Sequence, residues 1–230
     1  MTARSGVVAI GVAILLAACA STPPPPDWQM NAKDSLDRSV AAYLQGNSRV
    51  EAVEFARARA ELARTARADL LARAELTRCA ARVASLVFEP CAGFAALAQD
   101  ASAAERAYAD YLTGKIDAKD AALLPEQHRA VATATATATA SAPATAVAGI
   151  ADPLARLIAA GVLMQSARAE PSVMALAVDT ASAQGWSRPL LAWLNVQALQ
   201  ADAAGDADEA ARLRRRIGLV LGTPAVRAAP

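Results

Sequence analysis

Residues 187–222 read SRPLLAWLNVQALQADAAGDADEAARLRRRIGLVLG, and this stretch decides the fold. Ser187 and Pro189 open a helix carrying Leu190, Leu191, Trp193, Leu194 and Leu199, since apolar residues three and four apart fall on one helical face. Gly205 stops it, glycine being the commonest residue after a helix C-terminus. Asp206-Ala207-Asp208-Glu209 is a variant capping box, opening a second helix whose inner face is Ala210, Leu213, Ile217 and Val220. Gly222 and Pro224 close it. Two helices joined by so short a turn predict an antiparallel hairpin.

Upstream, the same punctuation recurs. Asp152-Pro153 is an N-cap followed by a proline at the first helical position, leading into Leu154, Leu157, Ile158 and Val162. Pro171 starts the next helix, with Val173, Leu176 and Ala177 apolar, and Gly185 ends it. In the first half, Leu36, Val40, Tyr43 and Leu44 have helical spacing before the break at Gly46-Asn47-Ser48. A helix over Val50 to Thr65 is predicted to turn Val53, Ala56, Ala60 and Ala63 inward. A third, Ala68 to Leu86, carries Leu76, Cys79, Val83 and Leu86, and Phe94 and Leu97 belong to a short fourth. Ser102-Ala103-Ala104-Glu105 is a capping box ahead of Tyr108, Tyr111 and Leu112, with Gly114 as the stop. Asp117 to Ala132 reads as one helix kinked at Pro125. Thr133 to Ala148 alternates Thr and Ala around Pro143. With no large apolar residue before Val147, it is expected to be a flexible linker.

Gly205-Asp206-Ala207-Asp208-Glu209-Ala210 resembles the turn and second-helix start of a tetratricopeptide repeat. The resemblance places Ala198 and Ala201 on the small positions of the first helix and Ala210 on that of the second. Pro224 lies two residues past the usual closing proline, and Arg214 stands where an aromatic is common, so the repeat is degenerate. Tyr43-Leu44-Gln45-Gly46 and Tyr111-Leu112-Thr113-Gly114 echo the helix end and turn, about two 34-residue periods apart, but no matching turn lies midway. The expected fold is all-α: antiparallel helical hairpins, as a tetratricopeptide-like solenoid or an irregular bundle.

Composition agrees. The 230 residues include 64 alanines, with 55% apolar residues but only 4% aromatics; alanine favours helix, while strands prefer β-branched and aromatic residues. A formal charge of +1 shows no basic footprint for nucleic acid. One His and three Cys argue against a zinc or catalytic histidine cluster, and no cofactor is expected.

The N-terminus reads as an export signal. Arg4 precedes an uncharged apolar run, Val7 to Ala18, too short to span a bilayer as helix. Leu16-Ala17-Ala18-Cys19 resembles the lipobox of bacterial lipoproteins. That resemblance implies cleavage before Cys19, acylation of its thiol and stable anchoring by two or more chains; Ala20 in place of Asp points to the outer membrane, periplasmic face. Pro23-Pro24-Pro25-Pro26 is a stiff polyproline spacer. The expected organisation is thus signal peptide 1–18, lipidated cysteine and tether 19–30, helical domain 31–132, linker 133–148, helical-hairpin domain 149–224 and disordered tail 225–230.

With Cys19 acylated, Cys79 and Cys91 form the remaining even pair, a structural disulfide in an oxidising compartment, provided the third helix ends by about Leu86 and the chain doubles back. Glu54/Arg57, Glu61/Arg64, Asp69/Arg73 and Glu75/Arg78 have the spacing of intrahelical ion pairs; the sharper alternative is an arginine-lined groove. Trp186 and Trp193, with Arg212, Arg215 and Arg216 of the basic run 212–216, are the candidate partner-binding residues, against core packing for the tryptophans and a solvated face for the arginines. His128 sits in a polar stretch without a nucleophile motif. Glu105 and Glu170 are the carboxylates weighed for glycan cleavage, against a cap and an exposed loop. The function expected from these readings is a membrane-anchored scaffold or adaptor lipoprotein, binding the bilayer through acylated Cys19 and a protein partner in envelope assembly. A cell-wall glycan enzyme or its accessory, and a structural envelope lipoprotein, are the alternatives. A buried Glu in a glycan-sized cleft would favour the enzyme, a shallow apolar face the adaptor.

Overall fold

The computed structural model describes residues 24–137 and 142–222. The signal peptide, Cys19 and the C-terminal tail of the sequence reading lie outside the described residues. All regular structure among the described residues is helical: α1 Asp27–Leu44, α2 Ser48–Ala63, α3 Ala68–Ala84, α4 Ala92–Ala95, α5 Ala103–Leu112, a 3-10 helix Ala118–Leu123, α6 Glu126–Thr137, α7 Ala142–Ala148, α8 Pro153–Gln165, α9 Pro171–Ala183, α10 Ser187–Ala203 and α11 Ala207–Leu221. The fold is all-α, as expected.

The hairpin at 187–222 forms with the expected turn, although Leu199 is exposed and lies off the buried face of Trp193, Leu194, Ala198 and Ala201. Gly205 takes φ +75° and Asp206 N–H bonds Ala201 O at 2.9 Å, satisfying a carbonyl left over at the end of α10. The Asp206 carboxylate accepts from Glu209 N–H at 3.0 Å and caps α11. Ala198, Ala201 and Ala210 are buried between the two helices. The echo turns at Gly46 and Gly114 close with the same backbone bond back over five residues, Asn47 N–H to Ala42 O and Lys115 N–H to Asp110 O.

Helix α3 is the axis of the molecule, packing on α1, α2, α4, α5 and α8. Its approach to α8 needs a glycine: a Cβ on Gly161 would overlap the Val83 carbonyl oxygen. From α8 the chain proceeds by neighbouring pairs, α8 on α9, α9 on α10 and α10 on α11. Buried alanines such as Ala72, Ala84, Ala159 and Ala181 line these contacts, and their small side chains let backbones come close.

Three expectations are corrected. Helix α2 turns Glu51, Glu54, Phe55, Ala58 and Leu62 inward, leaving Val53, Ala56, Ala60 and Ala63 exposed. The stripe with Phe55 and Leu62 buries more apolar surface than one of three alanines and a valine, and guanidinium partners meet its glutamates. The small close-packing face belongs to α1 instead, as Ala32, Ser35, Ser39 and Ala42. Residues 117–132 are not one kinked helix: Leu124, extended at ψ 156° ahead of Pro125, separates the 3-10 helix from α6, as the residue before proline resists helical geometry. The first helix begins at Asp27, inside the expected tether, with exposed Pro24 to Pro26 before it.

The expected linker also differs. The Thr-Ala tract is helical through Thr137 and again from Ala142, and Val147 is fully buried. One hydrophobic cluster runs from Ala72 through Val131 and Val147 to Leu213, so the two helical blocks share a core. Arg188 of α10 reinforces the join, donating from Nε to Tyr43 O at 2.6 Å with its guanidinium 4.4 Å above the Tyr43 ring.

Candidate functional site

The strongest candidate is a cleft of about 500 Å³ between α3, α5 and the turn into α6. Helix α3 supplies Arg73, Leu76 and Thr77, three and four residues apart and therefore on one face. Helix α5 supplies Glu105 and Tyr108. The position of Glu105 follows from its cap: Ser102 Oγ accepts from Glu105 N–H at 3.3 Å, and a Glu105 carboxylate oxygen accepts from Ser102 N–H at 2.7 Å. The other carboxylate oxygen accepts from Arg73 Nε at 2.7 Å. Leu124 and Pro125 form the opposite wall, and Arg129 closes it, donating from Nε to Leu124 O at 2.8 Å.

Beneath the cleft lies a small aromatic nest. His128 is 1% exposed, with its ring centroid 5.7 Å from Tyr108 and 5.0 Å from Tyr111. Tyr111 Oη and His128 Nδ1 are 3.3 Å apart. Burial lowers the His128 pKa to about 4, against a smaller opposing pull from Asp152, so the imidazole is neutral at pH 7. Burial pushes both tyrosines upward. For Glu105, burial raises the pKa, but the bonds from Arg73 and Ser102 outweigh it and leave the carboxyl below its usual range. Glu105 is therefore a buried carboxylate lining a cleft, the feature named for the glycan-enzyme alternative, but both its oxygens are occupied and its pKa is shifted down, the opposite of what a general acid for glycan cleavage requires.

Compared with known protein families, curated proteins and solved structures, the chain matches none.

A second cleft, about 400 Å³, lies on the other flank of α3 between Trp28, Leu36, Leu62 and Leu70, and Arg73 lines both. Trp28 packs on the cluster of Ala32, Phe55, Leu62 and Ala74. No group of three or more His, Cys, Asp or Glu among the described residues could hold a metal ion, and no helix among them is long and apolar enough to cross a membrane.

The residues singled out from sequence fare unevenly. Cys79 and Cys91 stand at disulfide distance, Cα atoms 5.9 Å apart, because α3 ends at Ala84 and the chain doubles back through Leu86 at φ +59°. Trp193 is fully buried and its indole is bonded inside, so it cannot meet a partner. Trp186 is half-buried against Tyr43, Leu44 and Ala81, in the join between the blocks. Arg212 is spent on Glu209 and Arg214 on Asp202. Arg215 is exposed, and Arg216 lines a shallow groove beside Asp179. Glu170 precedes α9 half-buried, without capping it.

Of the four predicted intrahelical pairs, Glu54–Arg57 and Glu61–Arg64 form. The other two do not form, and three of their four members pair across helices. Arg73 bonds Glu105, Arg78 bonds Glu51 at 2.6 Å, Arg59 bonds Glu75 at 2.5 Å, and Asp69 pairs with Arg67 instead. Sequence reasoning missed the roles of Arg73, Tyr108, Arg129 and the buried His128. One signal was available: Leu124, His128, Val131 and Ala132 are spaced by helical turns and all are buried.

Proposed function

We propose that this chain is a membrane-anchored adaptor of the bacterial envelope. Acylated Cys19 holds it at the periplasmic face of the outer membrane, and the cleft between α3, α5 and α6 receives a segment of a partner protein. The reading rests on the state of Glu105. A cleft whose one carboxylate has both oxygens held, by Arg73 and by the Ser102 backbone, and whose walls are Leu76, Tyr108, Leu124 and Pro125, is furnished for binding rather than for a general acid. Apolar walls with a few fixed polar groups are the usual make-up of a recognition site.

Photo-crosslinking in living cells tests this. A photoreactive residue at Thr77, on the cleft wall, is expected to capture a discrete envelope protein, while one at exposed Val53 captures none. Recovery of peptidoglycan fragments alone at Thr77 would overturn the adaptor reading. Labelling with a fatty-acid probe, lost in Cys19→Ser, tests the anchor separately.

A further inference from the structure

The two clefts on either flank of α3 share Arg73, and the stripe Leu70, Arg73, Ala74 and Thr77 runs between them along one helical face. Leu36, Leu62 and Leu70 lie on one side of the guanidinium, and Leu76, Tyr108 and Leu124 on the other. Four cations line the two clefts, Lys33, Arg67, Arg73 and Arg129, against one carboxylate, Glu105. Asp37 and Asp69, outside the lining, pair with Lys33 and Arg67, and Glu105 pairs with Arg73 through Nε, so Arg129 is the one of these four cations that meets no carboxylate among the described residues. Arg73 and Arg129 each spend Nε on the protein. Both residues are exposed, and among the described residues no hydrogen bond engages their terminal amines.

We propose that this groove binds an acidic peptide segment in which an Asp or Glu is flanked on both sides by apolar side chains. The carboxylate pairs with the terminal amines of Arg73, and the flanking side chains enter the two clefts. A guanidinium presents paired donors that match a carboxylate. The order of the groove, apolar then cationic then apolar, suits a peptide, whose side chains alternate at residue spacing. A phospholipid carries its charge at one end. The inference rests on the adaptor reading and specifies the chemistry of its partner.

The test is affinity selection from a random 12-residue peptide library displayed on phage, against the full-length protein in nanodiscs of zwitterionic lipid. The expected result is enrichment of sequences with an acid between two apolar residues. Replacing that acid by its amide in a synthetic peptide should weaken binding at least tenfold. Arg73→Gln also removes the Glu105 bond, so two further variants keep the test decisive. Arg129→Gln should weaken binding severalfold and lessen its dependence on salt, and Thr77→Trp, which fills the cleft, should abolish it. Enrichment of sequences without an acid, no enrichment over the Thr77→Trp protein, or transfer of binding to anionic vesicles would each overturn the proposal. Capture of an envelope protein through Thr77 in cells, combined with indifference to the acid, would sink the acidic-peptide inference and leave the adaptor standing. Absence of capture would sink the adaptor itself.

Discussion

The indole Nε1–H of Trp193 donates to the carbonyl oxygen of Ala84 across 3.1 Å, joining residues 109 apart in the chain. Ala84 is the last residue of α3, and the final carbonyls of a helix have no partner within it. One side chain of α10 thus completes the central helix of the first block. Together with Arg188 on Tyr43, this explains why the two blocks share a core despite the low-complexity tract between them.

Trp193→Phe keeps most of the ring volume and removes the donor, leaving the Ala84 carbonyl buried and unpaired. The expected loss is about 1–3 kcal/mol, read as a lower urea midpoint. The wild type is expected to unfold in a single transition by circular dichroism and by tryptophan fluorescence alike. Two separated transitions would show that the blocks are independent.

Glu51 of α2 is buried, accepts from Arg78 of α3 at 2.6 Å, and the same guanidinium lies 4.5 Å over the Phe55 ring. Removing one partner of such a pair leaves the other uncompensated. Because Arg78 is about a third exposed, water recovers part of the cost, and Glu51→Gln is expected to lose roughly 2 kcal/mol, below the roughly 3–5 kcal/mol for a fully buried pair. Replacing both partners, Glu51→Leu with Arg78→Met, should return stability to within about 1 kcal/mol of wild type. A double mutant as damaged as the single would place the energy elsewhere, and chemical denaturation of the four proteins decides.

Cys79 and Cys91 close a loop with a sequence separation of 12 between α3 and α4. In the chain-entropy model such a crosslink stabilises by roughly 3 kcal/mol. The Cys79→Ala, Cys91→Ala double variant is expected to melt lower than the oxidised protein by about that equivalent, and the reduced wild type should melt with it. Thiols that stay free in protein isolated from whole cells under alkylation would contradict both the bridge and the export reading.

What was legible in the sequence was what acts locally. Gly205 with Asp206, the Ser102 capping box and Asp152-Pro153 each fix a helix boundary through bonds within a few residues, so composition at the boundary suffices. Partners across helices were not legible. The spacing of Glu75 and Arg78 permits an intrahelical pair, yet Arg59 and Glu51, 16 and 27 residues away from them respectively, claim the two groups. The face that α2 buries was illegible for the same reason, as its glutamates look like surface residues until their arginines arrive from α1 and α3. His128 sits between polar neighbours in sequence, and its burial depends on tyrosines brought by α5. The Thr-Ala tract carries too little apolar area to predict order, and Val147 is covered only once α8 and α9 are in place.

The buried imidazole makes stability depend on pH in a window set by its own shift. Folded His128 has a pKa of about 4, whereas in an unfolded chain it is about 6.5. Above pH 6.5 both states are neutral and the group contributes nothing to the balance. Between pH 6.5 and 4 the unfolded chain binds a proton that the folded one refuses, so stability falls with falling pH, by at most about 1.4 kcal/mol per unit. Below pH 4 both are protonated and this contribution levels off, after a total loss on the order of 3 kcal/mol. Glu105 acts in the same sense at lower pH, because its depressed folded pKa withdraws stability only as the carboxylate range is crossed. His128→Gln keeps an acceptor for the Tyr111 hydroxyl and does not titrate. Melting temperatures across pH 7.5 to 4.5 should fall in the wild type and stay nearly level in His128→Gln over the upper part of that range. Parallel curves would assign the proton to another group and leave the aromatic nest a purely structural feature.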